Sequence, residues 1–143
     1  MDVSELRKRI LRALDEARHE AAAKRTEKDA AGRAFDTFLE SVAVPLLRQA
    51  QGILKAEHQS FTVHAPAGSA RLASDAAAQT FIEFVLDVSG DQPQVLGRVS
   101  RDRGRGRVVI DERPVATGKP VADVAEEDVA AFLVTEIPRL LRR

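Results

Sequence analysis

The chain has 143 residues and a mass of 15.6 kDa, with 22 Lys+Arg against 22 Asp+Glu, 44% hydrophobic and 31% charged residues, and no cysteine. That length suits a single domain with its own core, and the composition is too apolar for wholesale disorder. The charge balance gives no global pull towards nucleic acid or an anionic membrane, and the lack of cysteine excludes disulfides, thiol nucleophiles and thiolate metal sites.

Met1 to Arg12 is charged and amphipathic, without the unbroken apolar run of an export signal, and no window approaches the ~18 consecutive apolar residues of a membrane span. The expectation is a cytoplasmic protein with no membrane contact. The first forty percent of the chain reads as helix. Val3, Leu6, Ile10, Ala13/Leu14, Ala17 and Ala21 recur in steps of three and four, which draws one narrow stripe. Lys24 and Lys28 then interrupt it, and between Ala22 and Gly32 almost every face is polar. Such a helix bridges solvent, frays, or pairs with another chain.

A wider stripe follows through Phe35, Phe38, Leu39, Val42, Leu46, Ala50, Ile53 and Leu54, and its large residues are assigned to the main core. Gly32 is the best candidate for a break between the two stripes, giving a helical hairpin; without that break the segment is one long helix kinked near Pro45, which lacks a donor and crowds the preceding turn.

From Ser60 the period switches to two. Phe61, Val63 and Ala65 alternate with polar residues, Pro66–Ser69 reads as a turn, and Ala70–Ala73 can return as a partner strand. Thr80–Val88 places Ile82, Phe84, Leu86 and Val88 on a dry face. Glu83 and Asp87 fall on a mixed face taken to be solvated, about 13 Å apart along the strand and too far for a paired acid/base site. Gln94–Ser100 and Arg107–Arg113 form a hairpin across 101–106. Asp123 with Glu126 resembles a capping box; Val129, Phe132, Leu133, Ile137 and Leu140 mark the last helix, with Arg139, Arg142 and Arg143 at the negative end of its dipole.

The expected fold is α+β: an N-terminal helical hairpin or long kinked helix, an antiparallel meander of four or five strands, and a C-terminal helix packed on one sheet face. It divides as 1–33 (an N-terminal helix available for dimerisation), 34–58, 60–113 and 123–142, all within one domain.

No catalytic motif is found: no nucleophile elbow, Walker A loop, dinucleotide fingerprint or H-E-x-x-H helix. His58 and His64 flank the helix-to-strand junction and, with Glu57 or Asp75, would make at most a weakly specified metal or small-ligand site. No cofactor, metal or catalytic residue is assigned. One cluster rises above background: Arg98, Arg101, Arg103, Arg105 and Arg107 with a single acid, Asp102, give the hairpin a net +4. Arginine clamps phosphate or carboxylate well, but no aromatic interleaves, and a solvated loop is the plainest explanation.

The second informative feature is the N-terminal stripe. Residues 1–33 carry nine basic and seven acidic side chains, so its flanks can lace two helices together. The leading reading is a non-catalytic adaptor or chaperone-like interaction module, homodimeric through its N-terminal helices and open to a protein partner. The alternatives are a nucleic-acid-binding accessory protein using the arginine hairpin, or a small-ligand-binding domain.

Overall fold

The computed structural model describes residues 1–142. Arg143, invoked above at the last helix dipole, lies outside the described residues.

The helical segment is continuous. α1 (Val3–Phe38) runs through Gly32 without a break, passes into a π-helical turn (Leu39–Ala43) and continues as α2 (Val44–Ala56). Of the two arrangements expected, the long helix forms and the hairpin does not. Asp2 caps its start by accepting from the Glu5 backbone N–H at 2.8 Å, and Glu5 pairs with Arg9 one turn on at 3.1 Å. Such contacts, with a run of Ala, Leu, Arg, Lys and Glu, favour helix along a segment with little tertiary support.

The π turn lies immediately before Pro45. Pro45 has no N–H for the carbonyl four residues back, and its ring crowds that carbonyl; widening the preceding turn relieves the clash. The Val44 N–H accordingly bonds to the Leu39 carbonyl, five residues back. One extra residue in the turn rotates everything after it by about 100°. The stripe read straight through the sequence is kept only in part beyond Ala43. Leu47, Ala50 and Leu54 are buried, whereas Leu46 is only half-buried and Ile53 is 66% exposed.

β1 (Phe61–His64), β2 (Ala70–Ser74), β3 (Phe81–Asp87), β4 (Gln94–Gly104) and β5 (Arg107–Pro114) form one antiparallel meander in that spatial order. A short 3₁₀ turn (Val121–Asp123) leads into α3 (Glu126–Leu141). The cap of α3 differs from the expected Asp123/Glu126 pair. Asp128 accepts from the Ala125 N–H at 2.9 Å while Lys119 Nζ binds the same carboxylate, and Asp123 belongs to the 3₁₀ turn.

α2 and α3 lie on one face of the sheet. Phe38 meets Phe84 edge-on, and Phe84 meets Phe132 in the same way, with centroids 6.1 and 5.7 Å apart. Gly97 on β4 makes room for this: a Cβ there would lie 2.2 Å from Phe132 Cζ. The opposite sheet face carries a transverse row in which His64, Arg71, Glu83, Arg98 and Glu112 are successive cross-strand partners. Glu83 is buried rather than solvated. Arg71 and Arg98 bond it from both sides at 2.9 and 3.3 Å, and Arg71 also covers the Phe81 ring.

Candidate functional site

Every residue from Met1 to Ala30 is exposed, and Ala31 is the first buried position of α1. Lys24, Glu27 and Lys28 line a cleft against the β3–β4 turn at Val88–Pro93, so the helix meets the body from about there onward. Val3 to Lys24 thus forms an arm about 33 Å long at 1.5 Å per residue. Nucleation cost does not oppose it, because it extends a helix already anchored by Phe35 and Phe38. The arm carries Leu6, Ile10, Leu11 and Leu14 each about half exposed, with Val3 more so. These side chains gain nothing from their own domain.

A second apolar surface lies between α2 and α3, a groove of about 450 Å³. Leu46, Ala50 and Ile53 form one wall and Leu133, Val134 and Ile137 the other. Ile53 and Val134 stand up on the rims, 66% and 75% exposed. Beyond the π turn Leu47 fills the core, while Leu46 and Ile53 line the groove. Sequence reading missed it because both residues were counted as core and Val134 stood off the helix stripe. The available signal was Pro45 itself, one residue before Leu46.

The five arginines assigned to the hairpin divide into two groups. Arg98 lies mid-strand, held by Glu83 and by Glu112 at 2.8 Å, and Arg101 lies 3.8 Å from Asp111. Arg103, Arg105 and Arg107 are exposed at the tip, where no salt bridge forms to them among the described residues. The tip is tighter than the expected 101–106 loop: Gly104 pairs with Arg107, leaving Arg105-Gly106 as a two-residue connection with φ of 56° and 73°. Positive φ at both positions matches the right-handed twist of a hairpin. An irregularity between Asp102 and Gly104, where the Gly104 N–H binds the Asp102 carboxylate at 2.8 Å, leaves Arg103 outside the ladder.

His58 sits in the turn after α2 at φ 63°, and His64 ends β1 opposite Arg71; both are exposed. Asp75 is engaged by the Ser60 and Thr62 hydroxyls, which hold its carboxyl below the usual range. No group of three or more His, Asp or Glu residues among those described is placed to hold a metal ion. No described helix is long and apolar enough to cross a membrane.

Compared with protein-family models, with curated proteins and with solved structures, the chain matches none.

Proposed function

We propose that this protein is a non-catalytic interaction module, adaptor or chaperone-like, that self-associates through its N-terminal arm. The observation that carries the reading is the arm itself: about six turns of well-capped helix whose Leu6, Ile10 and Leu14 stay about half exposed and outside the core of the described residues. Burying a Leu or Ile side chain contributes about 1.5–3 kcal/mol, so an open row of them favours any arrangement that covers it. Mixed charges along its flanks suit a helical partner better than a lipid surface, which favours a basic face.

Sedimentation equilibrium of the wild type and of a Leu6→Gln/Ile10→Gln/Leu14→Gln variant tests this. All three positions are exposed and Gln is a good helix former, so the variant retains its fold. The wild type is expected to form dimers that the variant loses; identical monomer masses for both would refute the reading.

A second reading rests on the exposed tip arginines, Arg103, Arg105 and Arg107, which fit phosphate contact by a basic hairpin. Three such contacts limit the dependence of log affinity on log salt to a slope of about −2.7. Binding of a duplex within that slope, or of a single strand within about −2.1, abolished by Arg103→Ala/Arg105→Ala/Arg107→Ala, would support it; no binding at low salt would remove it.

A further inference from the structure

The arm and the groove are complementary surfaces on one chain that cannot meet within it. Ile10 and Ala50 lie on a single uninterrupted helix, about 60 Å apart at 1.5 Å per residue, and nothing between them folds back. We infer that the arm of one copy docks in the groove between α2 and α3 of a second copy, the two copies exchanging arms about a two-fold axis. This rests on the self-association proposed above and names the surface that receives the arm.

Three arguments favour the groove of a second copy over arm-to-arm pairing. The first is reach. Leu6 to Leu14, Leu46 to Leu54 and Ala130 to Pro138 each span about 12 Å of helix, so the apolar row on the arm is as long as both walls of the groove. An amphipathic helix laid by its apolar face in a hydrophobic groove is an established mode of recognition, and Leu6, Ile10 and Leu14 supply such a face at steps of four.

The second is area. A stable dimer buries about 800 Å² on each partner. Arm against arm offers one short row per copy, from Val3 to Leu14, less than the three or four heptads a coiled coil sustains. Arm exchange buries two rows and two grooves, and covers Ile53 and Val134 as well.

The third is symmetry. The arm and α2 belong to one continuous run of helix, so docking arm on α2 in both directions requires the two long helices to run antiparallel. The axis then passes near residue 30, and both contacts close at once, as an isologous dimer demands. Gly32 lies beside that point, half-exposed, with open space where a Cβ would stand. Parallel helices would place arm beside arm and leave both grooves empty.

The chain has no cysteine, so engineered thiols report unambiguously. Single variants Leu6→Cys, Ile10→Cys, Ile53→Cys and Val134→Cys are purified, mixed in pairs and oxidised gently, while light scattering records the mass before oxidation. Arm docking predicts covalent dimers from mixtures of an arm thiol with a groove thiol. Leu6→Cys should cross-link to Ile53→Cys more readily than to a Leu46→Cys control, because the helices are antiparallel. A dimer that cross-links only arm to arm would overturn the docking and leave self-association standing. A dimer that gives no arm-to-groove product with either rim thiol would also overturn it. A monomer at all concentrations would overturn both. As a second arm of the test, Ile53→Glu/Val134→Glu changes two exposed side chains and leaves the monomer intact. It should weaken the dimer by on the order of a hundredfold, since each site is lost twice; unchanged dimerisation would contradict the proposal.

Discussion

At the residue scale, two kinds of position govern the body of the molecule. Gly97 is the first. Phe132 rests on it, with Phe84 edge-on and the Arg113 guanidinium 4.3 Å from the ring centroid, so an added Cβ must displace a ring already packed by both. Gly97→Ala should destabilise the fold by about 1–3 kcal/mol, the usual effect of overpacking, and urea denaturation measures it. The second kind is three aspartates that tie loops to neighbouring elements, Asp75 exposed and Asp87 and Asp128 half-buried. Ser60 and Thr62 donate to Asp75, Ser89 and Gln94 to Asp87, and the Ala125 N–H and Lys119 to Asp128; these bonds hold all three carboxyls below the ordinary aspartate value near 3.8. A depressed folded-state pKa means that the unfolded chain takes up the proton first as acid is added. The stabilisation is complete above that ordinary value and is lost as the pH falls through the lower folded values. Thermal unfolding followed from pH 5 to pH 2 should therefore show a decline that begins near pH 4. Asp75→Asn should lessen its depth.

At the element scale, the long helix is the unusual component. Gly32 lies in its interior, and neither a positive φ nor a close neighbour requires glycine there. In the monomer, Gly32→Ala should stabilise the helix by about 1 kcal/mol, read as a higher thermal midpoint of the groove-rim variant Ile53→Glu/Val134→Glu. The strands were legible in sequence, because period-two alternation between Pro/Gly turns leaves little choice for Phe61–Pro114; their spatial order was not, since alternation names no neighbour. Also legible was the weakness of the first helix, whose stripe narrows to alanine before Lys24. The phase of the second stripe was legible only in part. A period of 3.6 was carried across Pro45, and one extra residue in the π turn exchanged Leu46 for Leu47 in the core. Glu83 was misread for a related reason: alternation tells which face a side chain takes, but not that two arginines from neighbouring strands will close over it. The arginine cluster suffered likewise, since adjacency along the chain concealed that Arg98 and Arg101 face acids on β3 and β5.

At the scale of the whole molecule, a conventional two-layer body carries a helix that overshoots it by some 33 Å. The body buries its aromatic chain, Phe35, Phe38, Phe84 and Phe132, and leaves open two apolar surfaces, the arm and the groove it cannot reach. The central claim is that the arm finds its partner in another copy. Hydrogen exchange of the backbone amides in residues 3–23, compared between dilute and concentrated protein, tests it most directly. Arm amides in a free helix exchange quickly at any concentration, while those in a docked helix are protected only where the dimer is populated. The account predicts protection of the arm that rises with protein concentration, from fast exchange in dilute protein. Exchange in residues 3–23 that stays fast and independent of concentration would contradict it.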